Sequence, residues 1–187
     1  MGDDSILRTA RLRLVPVNAG HVSALFPLMS DPAITTYLAW EPHADEAETA
    51  GVLEALTEAA ANGSGYHWTI FEGEEAAGLL SLIDVKRRHR SWILDRAEIA
   101  YWIAPSRQGR GLATEATEAV VAFAFDRLGL NRLWISHTSA NPASGRVPQK
   151  LGFRFFGTER QFFKKNAVWH DMNHYELLAG DWKTRNA

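Results

Sequence analysis

The strongest constraint on the fold is a change of hydrophobic period in the middle of the chain. Apolar and polar residues first follow strand-like patterns in three runs, His67–Glu72, Ala77–Val85 and Arg96–Ile103, with turn residues between them. Three strand-like runs in close succession predict an antiparallel meander. From Gly111 to Leu128 the apolar residues instead recur at helical spacing, and Gly129 follows at the expected stop. This stretch therefore predicts a strand, a glycine-containing loop and a helix in direct succession.

The flanking segments extend this pattern in both directions. Asn18 can cap a short helix that ends near Pro32. We predict four further strands and two further helices: strands over Leu12–Val17, Leu133–Thr138, Phe153–Glu159 and Val168–Leu178, and helices over Ala44–Ala61 and Ala143–Leu151. The order of these elements predicts an α/β fold with a mixed sheet. No linker or repeat interrupts the chain, so we expect a single domain over residues 1–187.

Composition excludes several classes of protein. Cysteine is absent, which excludes disulfides, thiolate zinc sites and cysteine nucleophiles. The net charge of −2 provides no general attraction for nucleic acid. The longest apolar run, Ala119–Phe125, is much shorter than the ~20 residues of a membrane-spanning helix. Asp3 and Asp4 stand where a signal peptide needs basic residues. We therefore expect a cytoplasmic protein with neither a membrane nor a nucleic acid as direct partner.

The loop before the central helix has the composition of an anion site. Gly109 and Gly111 lie just before the predicted helix start, together with Arg107 and Arg110. Glycine lets the backbone approach a ligand closely, and the free N–H groups and dipole of a helix start favour a pyrophosphate. A tight turn with solvated arginines is the alternative. The Gly-Lys-Ser/Thr of a Walker loop is absent, and Thr114 stands where a dinucleotide fingerprint needs its third glycine.

Over the same residues the chain resembles the GNAT superfamily of acetyl-CoA-dependent N-acyltransferases. Gln108, Gly111 and Ala113 match its Q/R-x-x-G-x-G/A signature. The segment NPASGRVPQKLGF resembles the superfamily's N-x-x-S…KLGF segment. The segments RTARLRLVPV and HDMNHYELLAGDW resemble the RimJ/RimL branch, which acetylates N-terminal amines of ribosomal proteins. The likeness runs in order from about residue 8 to residue 182.

The resemblance implies the fold and the coenzyme site. It implies an α/β GNAT fold, in which a mixed, mostly antiparallel sheet splays between its fourth and fifth strands, with about four flanking helices. In this family the pantetheine arm of acetyl-CoA lies in that gap, where main-chain groups around Trp102 and Ile103 pair with it and Asn141 hydrogen-bonds it. The resemblance places the pyrophosphate on the loop and the helix start, which comprise Arg107, Gln108, Gly109, Arg110, Gly111, Leu112, Ala113 and Thr114.

Two residues match catalytic positions of the family. Glu98 matches the glutamate that acts as base through a water in some members, and Ser144 matches the residue proposed to protonate the departing sulfur. Each also has a structural interpretation, since Glu98 can pair with Arg96 and the Ser144 hydroxyl can bond locally in its helix. Pro148 in the same helix departs from the family pattern and could shift Ser144. Phe156, where the branch often carries an acid, is a second departure.

One aromatic residue and several histidines are further candidates for site residues. In this branch the region of Trp40 helps wall the acceptor pocket, and His137 follows a strand beside the expected cleft, as a second base or as a structural histidine. His170 and His174 have the spacing of a zinc helix, but four residues along a strand span ~13 Å, so no metal is expected. The basic run Lys86–Arg90 predicts a hairpin tip.

Together these features predict transfer of an acetyl group from acetyl-CoA to a primary amine by direct attack. The branch resemblance favours a protein N-terminus as acceptor. Polyamines, amino acids and aminoglycosides stay open as acceptors, as does another acyl group such as succinyl. A non-catalytic coenzyme-binding module is the alternative from another class. Only the family resemblance suggests a homodimer.

Overall fold

The computed structural model describes residues 5–185. Asp3 and Asp4, and the outermost residues of the domain expected over 1–187, lie outside this range. Within it, eight strands form one sheet in the order β1-β2-β3-β4-β5-β6-β8-β7. The strands are Leu7–Arg8 (β1), Leu12–Pro16 (β2), Tyr66–Glu72 (β3), Glu75–His89 (β4), Trp92–Ile103 (β5), Arg132–Thr138 (β6), Arg154–Lys165 (β7) and Val168–Leu178 (β8).

Six α-helices flank the sheet in the described part of the chain. They are Val22–Met29 (α1), Pro32–Thr35 (α2), Glu46–Ala61 (α3), Leu112–Ala122 (α4), Pro142–Lys150 (α5) and Ala179–Arg185 (α6). The two helices beyond the expected number, α2 and α6, are only four and seven residues long. Elements of one or two turns are too short to show a hydrophobic period. None of the helices within residues 5–185 is long and apolar enough to cross a membrane.

Sequence and structure agree closely on the central elements. Strands β3, β4 and β5 form the predicted antiparallel meander, and the basic run Lys86–Arg90 forms the end of β4 and the first residue of the β4–β5 turn. The helix predicted over Gly111–Leu128 is α4 followed by one π-helical turn, Phe123–Arg127. Gly129 ends it with a φ of 63°, a conformation that glycine adopts without steric cost.

The sheet splays between β5 and β6. These two strands run parallel and pair only over Arg96–Glu98 opposite Arg132–Trp134. Beyond these residues β5 continues to Ile103 and β6 to Thr138 without further pairing between them. They are the fourth and fifth of the strands predicted from the sequence, because β1 is too short to have been predicted. The expected α/β GNAT fold with its splayed, mixed sheet is therefore confirmed.

Helices pack on both faces of the sheet. On one face, which we call the α4 face, Ala116 and Val120 of α4 pack against Ile99 of β5 and Ile135 of β6. On the other, which we call the α1 face, Leu25 of α1 and Leu53 of α3 pack against Leu79 of β4, with Trp102 at the edge of the cluster. Three polar side chains lie on the α1 face of β5, β6 and β8, namely Glu98, Ser136 and His174. They belong to neither of these two hydrophobic clusters.

Candidate active site

A cleft opens where β5 and β6 diverge, and it connects the two faces of the sheet. Tyr101 and Trp102 both line it, and because they are consecutive on a strand their side chains point to opposite faces. Leu38 lines the cleft on the α1 face, and Ser144 of α5 lines it on the α4 face. Since β6 has left β5 here, one edge of the β5 main chain has no partner strand. An extended ligand can therefore pair with that edge as a further strand would.

The loop between β5 and α4 presents main-chain amides to the cleft. Gly109 and Gly111 have φ values of 74° and 81°, which ordinary residues rarely adopt. Gly111 is the N-cap of α4, and no side chain caps this helix start. The N–H groups of the first turn have no carbonyl one turn earlier, so those of Ala113 and Thr114, which line the cleft, remain available. This arrangement can bind an anion through backbone N–H groups and the helix dipole.

The two arginines of the loop are engaged by acidic residues. Arg107 pairs with Glu72 and Glu75, and Arg110 makes a bidentate pair with Glu72 at 2.7 and 2.8 Å. The hydrogen bonds from Arg110, together with Arg107, hold the pKa of Glu72 below its ordinary value. Arg107 still lines the cleft, whereas Arg110 does not. The anion-binding capacity of this loop therefore comes mainly from its amides rather than from its arginine side chains.

Two cations that sequence reasoning missed lie across the cleft from the loop. Arg146 and Lys150 are one turn apart on α5, are exposed, and line the cleft. In the sequence they are indistinguishable from the solvated face of an amphipathic helix. Their placement opposite the start of α4 is a consequence of the tertiary fold.

We expect the double substitution Arg146→Ala and Lys150→Ala to lower the affinity for acetyl-CoA. Exposed ion pairs contribute up to about 1 kcal/mol each, so about a tenfold loss is expected, and it should shrink as salt screens the charges. The measurement is titration calorimetry at two ionic strengths. Lys183→Ala, an exposed lysine of α6 away from the cleft lining, is the control. An affinity equal to wild type at low salt would contradict this prediction.

The structure also shows how α5 accommodates Pro148. A proline cannot donate the helical hydrogen bond to the carbonyl four residues earlier, which here belongs to Ser144. The Tyr101 hydroxyl donates to that carbonyl instead at 2.9 Å, and lies 3.2 Å from Oγ of Ser144. Burial raises the pKa of Tyr101 above its ordinary value, so it stays a protonated donor. Ser144 therefore keeps its place at the cleft, and Tyr101 is a site residue that its strand-like sequence context did not reveal.

Asn141 anchors the same helix start. It is the N-cap of α5, and its Oδ1 accepts a hydrogen bond from the Ser144 amide at 3.2 Å. The predicted cap is thus present, with Pro142 at the first helical position. Because only the oxygen of the Asn141 side chain is used in the cap, its NH₂ group is left to donate to a ligand in the cleft, which Asn141 lines.

Glu98 lies on β5 on the same face as Trp102, outside the residues that line the cleft. Burial raises its pKa above the ordinary value, and the nearby Ser136 hydroxyl and Trp134 indole partly offset this rise. Arg96, the alternative ion-pair partner, instead places its guanidinium 5.7 Å from the centre of the Trp134 ring. A carboxylate with a raised pKa at the edge of a cleft is suited to accept a proton near neutral pH.

Residues 35–40, which we call the wall segment, close the cleft on the α1 face. Tyr37 and Leu38 line the cleft directly, and Trp40 packs edge-to-face on Trp102 with 6.3 Å between ring centres. Lys165 at the end of β7 donates to the carbonyls of Thr35, Leu38 and Trp40 at 2.7, 2.8 and 3.1 Å. Its side chain is only 11% exposed. This lysine therefore fixes the wall segment from a distant hairpin.

Lys165→Met should release the wall segment, because methionine keeps the apolar stem but leaves three carbonyls without their donor. We expect the free energy of unfolding to fall by about 1–3 kcal/mol and the KM for the amine acceptor to rise. Urea denaturation and steady-state kinetics measure these two effects. Lys164→Met, at the exposed neighbouring position, is the control. If Lys165→Met and Lys164→Met behaved alike in both assays, the wall segment would not depend on Lys165.

The histidines of β6 and β8 occupy three different environments. His137 is buried beneath α5, where its Nδ1 lies 2.8 Å from the Thr138 carbonyl and its ring stacks on Tyr175. It does not line the cleft. His170 stacks on Phe163, and His174 bonds Ser136 at 3.0 Å. No group of three or more potential metal-ligating side chains occurs within residues 5–185.

Comparison with known proteins supports this geometry. A family model described as an acetyltransferase (GNAT) domain matches residues 11–154. The solved structure of RimL, a ribosomal L7/L12 alpha-N-protein acetyltransferase in complex with coenzyme A, superposes with a TM-score of 0.87. It is 26% identical, and the match covers 95% of this chain and 99% of that one.

Two curated relatives match over a shorter region. The putative ribosomal N-acetyltransferase YdaF of Bacillus subtilis is 35% identical over 106 residues, which cover 57% of this chain and 55% of that protein. The spermidine N(1)-acetyltransferase of Escherichia coli (strain K12) is also 35% identical, over 110 residues that cover 56% of each chain. Each match therefore spans about half the length of the relative.

Proposed function

The chain belongs to the GNAT acetyltransferase family and is an N-acetyltransferase, and we propose that it acetylates the N-terminal α-amine of a protein, a ribosomal protein being the favoured acceptor. The observation that carries the proposal is the cleft through the sheet between β5 and β6. A thioester that enters such a cleft from one face can be reached by an amine from the other. The two ends of the cleft differ in chemistry, with backbone amides near α4 and aromatic side chains near the wall segment.

The chain offers a complementary group for each part of acetyl-CoA. The amides from Gln108 to Ala113 would hold the pyrophosphate, with Arg146 and Lys150 supplying positive charge from α5. The edge of β5 around Trp102 and Ile103, which has no partner strand beyond Glu98, would pair with the amides of the pantetheine arm. These features fit the substrate without any metal ion.

Two proton transfers accompany the reaction. The amine nitrogen forms a bond to the thioester carbonyl carbon, the carbon–sulfur bond breaks, the amine loses a proton and the thiolate gains one. Glu98 would accept the amine proton through a water, because it has a raised pKa and lies on the α1 face. The Ser144 hydroxyl, beside the Tyr101 hydroxyl, would donate the proton to sulfur. Cysteine is absent, and direct attack of the amine on the thioester forms no covalent acyl-enzyme.

The charges near Glu98 favour a peptide over a polyamine. A polyamine needs several uncompensated carboxylates at the spacing of its ammonium groups. Near Glu98, Asp84 pairs with Lys86 at 2.9 Å. Glu176 pairs with both Arg132 and Arg154 at 2.9 and 2.7 Å. A single α-amine followed by an uncharged peptide backbone suits a surface on which these two carboxylates are already paired. The similarity to RimL and YdaF supports the same acceptor class.

The test is release of free thiol from acetyl-CoA with three acceptors. One is a peptide with the N-terminal sequence of a ribosomal protein and one internal lysine, the second is the same peptide with a blocked N-terminus, and the third is spermidine. We expect release with the free peptide and none with the blocked peptide. Faster release with spermidine would overturn the proposed acceptor but not the enzyme class. Binding of acetyl-CoA without release from any acceptor would favour a non-catalytic coenzyme-binding module.

A further inference from the structure

Three polar side chains form a row across adjacent strands on the α1 face. Glu98 lies on β5, Ser136 on β6 and His174 on β8. Ser136 and His174 stand opposite each other in the β6–β8 register, with 3.0 Å between Oγ and Nδ1. Glu98 stands opposite Trp134 in the β5–β6 register, two residues before Ser136 on the same face, and the nearby Ser136 hydroxyl favours its ionised form. One hydroxyl therefore lies between a half-buried carboxylate and an imidazole.

The far side of the imidazole reaches solvent. Nε2 of His174 is 3.6 Å from Oε2 of Glu159 on β7. The His174 side chain is 18% exposed and that of Glu159 is 59% exposed, so exposure rises along the row. The rings of Phe156 and Phe162 pack beside His174 at 5.6 and 6.2 Å between centres and hold its plane. Phe156 thus replaces the acid of the family branch with an aromatic contact to this histidine.

We propose that Ser136 and His174 form a proton relay that returns Glu98 to its ionised state after each turnover. The proposal rests on the proposed role of Glu98 as the base. Protonated Glu98 donates to Oγ of Ser136 while Ser136 donates its own proton to the unprotonated Nδ1 of His174. His174 then releases its Nε2 proton to Glu159 or to water, and tautomerisation of the neutral imidazole back to its Nε2–H form prepares it for the next turnover. One proton leaves for solvent, and only O–H and N–H bonds form and break.

The relay would remove the proton that a half-buried base tends to retain. A carboxylate whose pKa is raised by burial accepts a proton readily but also retains it. Two charged groups act on Glu98. The charge of Asp84 on β4 raises the pKa of Glu98, and the charge of His174 on β8 lowers it. The carboxylate facing His174 is Glu159 on β7. Other charged groups described on this face are paired or stacked: Lys86 with Asp84, Glu176 with Arg132 and Arg154, and Arg96 with Trp134.

The test uses His174→Ala, Ser136→Ala and a matched control, His170→Ala. His170 is on the same strand but stacks on Phe163 outside the row. Removing the Ser136 hydroxyl, which helps to lower the pKa of Glu98, should shift the acidic limb of the kcat/KM profile to higher pH. Losing one proton-transfer group should lower kcat about a hundredfold in both relay variants, with KM for the acceptor unchanged. Added imidazole should restore activity to His174→Ala but not change Ser136→Ala.

The outcomes separate this inference from the proposed function. If Glu98→Gln loses activity while His174→Ala and Ser136→Ala match His170→Ala in kcat and pH profile, the relay is overturned and the base stands. If Glu98→Gln is fully active, the base is overturned and the relay with it. If His174→Ala does not fold, Ser136→Ala decides by its pH profile alone.

Discussion

Glu98→Gln should lower kcat about a hundredfold at neutral pH, within the range expected for loss of a general base. Glutamine has nearly the same shape and keeps an oxygen acceptor beside the Ser136 hydroxyl and the Trp134 indole, so the loss would reflect proton transfer rather than packing. Glu98 lies outside the cleft lining, so affinity for acetyl-CoA should equal that of wild type. Steady-state kinetics and calorimetry measure the two quantities.

The same variant has a signature in stability. Burial raises the pKa of Glu98 in the folded protein above its value in the unfolded chain. Between the two values the folded state binds more protons, so stability falls as pH rises through that window. Glu98→Gln removes this contribution, and urea denaturation should show a flatter pH dependence than wild type. Full activity together with an unchanged pH dependence would remove Glu98 from both roles.

Gly111→Val should weaken acetyl-CoA binding at least about tenfold, which corresponds to 1.4 kcal/mol or more. Gly111 has a φ of 81°, and the left-handed region costs an L-residue about 1–2 kcal/mol, more for a β-branched one. A valine side chain would also occupy the approach to the amides at the start of α4. Calorimetric titration with acetyl-CoA is the direct measurement.

Gly129→Val separates local strain from loss of the anion site. Gly129 also has positive φ, at 63°, with no atom within 4 Å of an added Cβ, and it lies beyond the π-helical turn that follows α4. The Gly129→Val variant should lose about as much stability as Gly111→Val but keep its affinity for acetyl-CoA. An equal loss of affinity in both variants would show that the effect on Gly111 is a general one. Unchanged affinity in Gly111→Val would place the pyrophosphate elsewhere.

The parts of the fold predictable from sequence are those with long, regular periods. The β3–β5 meander and α4 have enough residues to show their pattern, and Gly129 marks the end of the helical region. The loop was predictable from its glycines, because the positive φ values of Gly109 and Gly111 before the start of α4 are ones that glycine adopts without steric cost. Short elements such as β1 and α2 carry no such signal, because two to four residues cannot show a period.

Side-chain partners were less predictable, because they depend on residues distant in sequence. The loop arginines suggested phosphate ligands, but the β3–β4 turn brings Glu72 and Glu75 to them. Pro148 suggested a disturbed helix, but the hydroxyl of Tyr101, which lies 43 residues before Ser144 in the chain, donates to the Ser144 carbonyl that the proline leaves without a helical partner. Lys165 meets the wall segment from more than 120 residues away. In each case the sheet topology, rather than local pattern, determines the contact.

The central claim is that amine and acetyl-CoA meet in one cleft and react directly. Initial rates measured against acetyl-CoA at several fixed concentrations of an N-terminal peptide test it most directly. Direct transfer requires both substrates to be bound together, so double-reciprocal lines should intersect to the left of the axis. Parallel lines, together with an acetylated form of the protein detected by intact mass in the absence of peptide, would contradict the account.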